Sequence, residues 1–285
     1  MSVVLIGLSI GMLLFLLAAG LTLVFGLLGV VNFAHGSLYM LGAYVAFQLV
    51  TWTGNFWLAL VIAPIIVGLV GGILEYFTLR PLYGRDAAYQ LLLTFGYILL
   101  IEEFIRMAWG VNFKSINPPP GLAGTTELFG STVTDYRLFI IGFGTLLSIA
   151  LFYVIERTRI GIVVRAASVN SAMVSCLGID VSRVRTGVFV AGTMLAAISG
   201  VIAGPLLPLK LGMSFSIIID CFMVVVIGGL GNIRGAILGA MLIGMTRAVG
   251  QQFAADWIFL LTYALLIVTL IFRPEGLFNV KVRQA

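Results

Sequence analysis

The chain has 285 residues, of which 61% are apolar and only 9% charged, with a mean hydropathy of +1.17 and a formal net charge of +5. Soluble domains carry about 25% charged residues, so a water-soluble enzyme is excluded. The basic balance calls for no nucleic acid, because its residues fall in loops, where membrane orientation places them.

Taken in chain order, the first apolar run covers residues 3–28. It lacks a positive n-region and is about twice as long as the apolar part of a signal peptide. As a helix it rises about 39 Å, so it is expected to be the first transmembrane span. Asn32, His35 (the single histidine) and Gly36 then interrupt the apolar pattern. Two further runs, 38–50 and 57–74, lead to Glu75 and the basic pair Arg80 and Arg85, with Glu75 expected to snorkel towards the loop. Residues 91–101 precede Glu102, Glu103 and Arg106, where either carboxylate is spaced to pair with the arginine on one helix.

Residues 111–136, with Pro118, Pro119 and Pro120, read as an external loop, and 138–155 as the next span. Apolar runs at 188–209, 217–230, 236–245 and 258–272 complete the pattern, with Asp220 near the outer start of its run as either a helix cap or a group touching solute. The expected fold is all-α: a polytopic transmembrane helical bundle of about eight spans, with broken or re-entrant helices, forming one domain over 1–285. Cys176 and Cys221 lie in different kinds of segment at no metal-ligand spacing, and both read as small apolar fillers.

No Lys or Arg precedes Arg80. Residues 156–185 hold Arg157, Arg159, Arg165, Arg183 and Arg185, and the tail holds Arg273, Lys281 and Arg283. The positive-inside rule puts these segments and the Arg80 loop in the cytoplasm. Counting back from Arg80 gives three crossings and an external N-terminus.

Residues 25–43 weakly echo 227–240: each has an apolar run, Gly-Leu, an asparagine, a basic or titratable residue followed by glycine, then Leu-Gly-Ala. Paired Gly-interrupted segments point to a transport site, since unwound backbone at membrane depth must line a cavity or be buried in protein. Asn32, His35, Gly36, Gly229, Gly231, Asn232 and Asp220 are therefore the candidates for a helix break or translocation path. Asn32 and His35 either hydrogen-bond backbone groups freed at the break or line the passage itself. Small residues at helical spacing (Gly7 and Gly11; Ala196, Gly200 and Gly204; Gly235 and Gly239) are expected to let helices of this chain pack closely.

The cytoplasmic stretch 157–187 is neither membrane nor simple linker. Residues 166–177 have helical character, Gly178 is placed for a left-handed C-terminal cap, and Asp180 or Ser182 is placed to cap the next helix. Such a rod either fits a partner's groove or is a solvated connector.

Chemistry of its own is missing. Lys114, Lys210 and Lys281 are the only lysines and none follows a glycine, so no P-loop is encoded. No paired-histidine or Ser–His constellation supports a membrane-embedded enzyme. Energy must come from a partner ATPase or from an ion gradient, which would make the chain a stand-alone secondary transporter or channel.

Four motifs in order then carry a resemblance. Asn32-Phe33-Ala34-His35-Gly36 with Tyr39 to Tyr44, the set Gly161, Arg165, Ala166, Ala172 and Leu177-Gly178-Ile179-Asp180, then Ile227 to Gly231 with Gly235-Ala236, and finally Phe272 to Phe278 resemble the branched-chain amino acid ABC-transporter permeases over nearly the full chain. The resemblance implies a permease subunit in a bacterial inner membrane, forming half of a translocation path. Its partners would be a homologous second permease, two cytoplasmic ATPases carrying ATP and Mg, and a periplasmic solute-binding protein. Arg165, Ala166, Ala172, Leu177, Gly178, Ile179 and Asp180 would form the coupling segment. Ser37 stands where many amino-acid importers of the family have an acidic residue, so the solute stays open among amino acids, urea, amides and aromatic acids.

Overall fold

The computed structural model describes residues 2–128 and 131–278; Lys281 and Arg283 of the basic tail lie outside the described residues. Eleven α-helices, α1 to α11, carry the described fold, with one two-stranded hairpin. Six helices are long and apolar enough to cross a membrane. Among the described residues they are α1 (Ser2–Leu28), α3 (Phe56–Leu74, continuing as a π-helix and a 3-10 turn to Leu82), α5 (Asp135–Arg157), α8 (Val181–Ala203), α10 (Ile233–Phe253) and α11 (Ile258–Phe272, entered through a 3-10 turn that starts at Ala255). α2 (His35–Thr53), α4 (Ala87–Trp109) and the shorter α9 (Met213–Gly228) complete the bundle, and α6 (Arg159–Val169) with α7 (Ser171–Cys176) packs on one end of it.

α1 is apolar on every side and fits the centre of a bundle. Phe15 to Leu21 are at most 1% exposed, enclosed chiefly by α8 and α10. Lipid gives helices no hydrophobic reason to associate, so contact depends on close packing. The small residues supply it within the chain: Gly7 and Gly11 face Met245 and Met241, and Gly200 lies against the Tyr39 carbonyl.

Orientation follows from the packing. Leu23 and Leu27 at the end of α1 sit with Val164, Ala167, Val174, Val181 and Val188 in one cluster, so α1 ends on the face that carries the basic segment. The start of α1 and residues 111–128 and 131–134 lie on the opposite face, where Lys114 and Leu209 exchange backbone hydrogen bonds of 3.0 and 2.8 Å. The end of α3 is tied to the start of α8, so α1 and α3 both end on the basic face. The expected loop 111–136 is shorter by two residues and contains strands β1 (Thr125–Leu128) and β2 (Ser131–Thr134), after which α5 begins at Asp135.

The chain re-enters the bundle after α1. His35 Nε2 lies 3.0 Å from the Leu17 carbonyl. Leu17 is 11 residues before the end of α1, or about 16 Å along it. Residues 29–34 therefore turn back inside, and α2 starts at mid-depth.

Candidate functional site

The basic face carries the more fully built site. Thr158 caps α6, accepting a hydrogen bond from Gly161 N at 3.3 Å. Asn170 then interrupts the helix: its backbone is extended at φ −149°, and its side chain accepts from Met173 N at 2.9 Å to cap α7. The single helix expected over 166–177 is thus two helices, because the asparagine side chain offers the backbone an alternative to helix continuation.

Gly178 ends α7 as expected, at φ +81°. Gly178 N donates to Ser175 O (3.0 Å) and Ile179 N to Val174 O (3.4 Å). These two bonds are a Schellman motif, and Ile179 and Val174 supply its apolar contact. Asp180, rather than Ser182, caps α8 through Arg183 N at 3.2 Å.

Within this segment Val174 and Ala167 face the bundle, whereas Ala172, Met173 (62% exposed) and Leu177 (74%) face away from it. Ala166 is also exposed, and Val169 is 71% exposed. These large apolar side chains form an exposed patch on helices too short to cross a membrane, the kind of surface that a protein partner can cover. Met173 and Val169 were not singled out from sequence, although Val169, Met173 and Leu177 recur at intervals of four. Cys176 is exposed on the same short helix, which corrects its reading as an apolar filler; Cys221 is buried.

Arg165 ties this rod to the second helix break. It donates to the Ile155 carbonyl, and its Nη1 lies 3.9 Å from Glu156 Oε2, while Glu156 Oε1 accepts from Arg234 Nη2 at 3.1 Å. Glu156, Arg165, Gly231, Asn232, Arg234 and Phe278 line one cleft of about 340 Å³. Residues assigned from sequence to two separate roles therefore share a site.

The break at 229–232 is a tight turn on the basic face, not an unwound stretch at mid-depth. Asn232 Oδ1 caps α10 by accepting from Arg234 N and Gly235 N (3.0 and 3.3 Å). α9 and α10 meet backbone to backbone, and a Cβ at Gly235 would collide with the Gly228 carbonyl. The tail then seals the end of α9: Leu277 N donates to Ile227 O at 2.8 Å, Phe278 N to Gly228 O at 3.2 Å, and Asn232 Nδ2 to Phe278 O at 3.0 Å. Carbonyls left open where a helix ends need such partners. Gly229, Gly231 and Asn232 are consequently turn and sealing residues. The two echoing stretches do touch, Gly26 of α1 lying against Gly231.

At the first break, Asn32, His35 and Ser37 are each 0% exposed. His35 bonds a carbonyl in the middle of α1, not one freed by the break, and neither polar atom of the Asn32 side chain has a partner. The expectation that both would satisfy loosened backbone is corrected for both residues. Gly36 allows α9 to approach at Ser214 and Ile218.

Two charged residues, Glu75 and Asp220, also differ from expectation. Glu75 does not snorkel: it is 0% exposed and accepts from Tyr83 OH and Thr186 Oγ1, both at 2.7 Å, fastening the end of α3 to the start of α8. Burial, then the bond to Glu75, pushes the Tyr83 hydroxyl above its ordinary pKa. Asp220 lies in the second turn of α9 and caps nothing; Arg247 of α10 holds both its oxygens, one at 2.7 Å. Of the two carboxylates near Arg106, Glu103 pairs with it (2.9 Å), leaving Glu102 beside Ser214 Oγ at 3.5 Å. No group of three or more His, Cys, Asp or Glu that could hold a metal ion occurs among the described residues.

Residues 3–270 match the family model described as "Branched-chain amino acid transport system / permease component". The chain belongs to the branched-chain amino acid ABC-transporter permease family. It is 30% identical over 287 residues to the high-affinity branched-chain amino acid transport system permease protein BraD of Pseudomonas aeruginosa, covering 95% of this chain and 93% of that one. It is 29% identical over 295 residues to the permease protein LivH of Escherichia coli K12, covering 95% and 92%. Its fold is similar to a chain of PsaBC from Streptococcus pneumoniae, solved in complex with a Fab, with a TM-score of 0.53 at 13% identity over 95% of this chain and 91% of that one. The family permease is thus a multi-pass membrane protein, the transport subunit of its system and not an enzyme.

Proposed function

We propose that the chain, as a single permease domain over 1–285, forms half of an import path for a small amino acid across a bacterial inner membrane. A second, homologous permease forms the other half. A periplasmic binding protein delivers the solute at the face carrying residues 111–134, and two cytoplasmic ATPases hold ATP and Mg and drive alternating access. The names of the relatives support a branched-chain amino acid as the solute.

The observation that carries this reading is the α6–α7 rod. It presents Met173 and Leu177 outward while Val174 anchors it to the bundle, and Arg165 joins it through Glu156 to the start of α10. A push on α7 from an ATPase groove reaches α10, and through it α1 and α9, by contacts already in place. Ala172, Leu177 and Gly178 are the docking part of this device; Arg165, Ala166, Ile179 and Asp180 are its mount.

The passage in this proposal runs along the face of α4 and α9. Glu102 makes no ion pair among the described residues, and an unpaired carboxylate within a span is not left facing lipid. It suits the ammonium group of an amino acid. Asn32, His35 and Gly36 lie behind that face, and the Asp220–Arg247 pair fixes α9 to α10, so these residues govern how α9 moves.

The test is uptake of labelled leucine by proteoliposomes holding the full complex and its binding protein. Uptake that requires both the ATPases and ATP supports the proposal. Equal uptake without them would establish the stand-alone transporter or channel instead.

A further inference from the structure

A second cavity lies within this one subunit, among α1, α2, α5, α8, α9 and α10. Its volume is about 320 Å³, near the small end for ligand pockets. Leu13, Leu14, Ala203, Leu206 and Ile217 give it apolar walls, and Tyr39, Arg137, Ser199, Arg247 and Gln251 bring polar groups to the same space.

The charges there do not balance. Arg247 is neutralised by Asp220, but Arg137 has no carboxylate within ion-pair distance among the described residues. Its neighbour Asp135 accepts from Thr126 instead, at 2.5 Å. Arg137 does not reach for lipid headgroups: its Nη1 donates at 2.9 Å to Ser9 Oγ, and Ser9 is 0% exposed inside the bundle. Arg137 is half-buried, and a partly desolvated guanidinium lacking a counter-charge favours an anionic partner. An anionic oxygen pair facing Arg137 would supply that partner, in a cavity that Tyr39 also lines.

We propose that this cavity binds a small carboxylate with an apolar body, its carboxylate on Arg137 and its apolar part against α1 and α8. Two sources have this chemistry: a fatty acid from the bilayer, or the amino acid in transit. The site belongs to one subunit and needs no ATPase, so its failure would leave the importer reading intact.

The test measures equilibrium binding of labelled octanoate and labelled leucine to the full chain in phosphatidylcholine nanodiscs, with octanamide and leucinamide as competitors lacking the carboxylate. The expected result is saturable binding of at least one carboxylate, not displaced by its amide. Arg137→Gln should weaken it about tenfold or more, while Arg137→Lys stays within about threefold, as for loss and retention of one charge-assisted hydrogen bond. Octanoate alone binding assigns the site to a membrane-derived ligand, and leucine alone assigns it to the solute. Binding of neither, equal competition by the amides, or an unchanged Kd in Arg137→Gln would overturn the proposal; the amide arm decides even where the glutamine variant fails to fold.

Discussion

Replacing Gly178 by valine isolates the cap of α7, the helix proposed to dock on an ATPase. The position has φ +81°, and no atom lies within 4 Å of a Cβ built there, so the substitution strains the backbone without a collision. The left-handed conformation costs an L-residue roughly 1–2 kcal/mol, and a β-branched side chain tolerates it worst. α7 has only six residues, far below the length at which a helix stands alone in water. It depends on Asn170 at one end and the Schellman bonds of Gly178 and Ile179 at the other. A loss of about 1–2 kcal/mol makes local opening about 5–30 times more frequent. Hydrogen exchange of the full chain in nanodiscs should show the amides of Leu177, Gly178 and Ile179 exchanging faster by that factor, with the spans unchanged. In the reconstituted complex, ATP hydrolysis should continue while solute moved per ATP falls. Unchanged exchange together with unchanged coupling would refute both the cap and its role.

Two further substitutions test the buried polar groups. Glu75→Ala removes the acceptor of two hydroxyls; since a hydrogen bond to a charged group contributes about 1.5–3 kcal/mol, the chain should lose about 3 kcal/mol in denaturant unfolding from detergent, and a loss below about 0.5 kcal/mol would mean that the tie between α3 and α8 carries no stability. His35→Gln keeps a donor near the Leu17 carbonyl, so ATP-driven uptake should retain its pH profile; a lost acidic limb would instead assign His35 a proton-transfer role.

Legibility followed the range of each interaction. The caps at Gly178 and Asp180 were readable because a cap is a local matter of one side chain and four residues of backbone. The apolar runs of the six membrane-length helices, expected among about eight spans, were readable from composition. The division at Asn170 was missed, because a polar side chain within good helical sequence signals a break only when its own capping bond forms. Asp220–Arg247 and Glu75–Thr186 join residues 27 and 111 apart, and nothing local in either carboxylate's surroundings announces its partner. The Phe272–Phe278 motif was recognised, but its work of closing the Ile227 and Gly228 carbonyls depends on the tail returning to the α9–α10 turn.

The proposed docking of α7 on an ATPase is tested most directly with the native cysteines. Cys176 is exposed on α7 and Cys221 is buried, so a maleimide should label the isolated chain at Cys176. In the assembled transporter the labelling rate at Cys176 should fall at least about tenfold, while a cysteine introduced at Ala123 on the opposite face keeps its rate. Equal labelling of Cys176 with and without the ATPases would contradict the account.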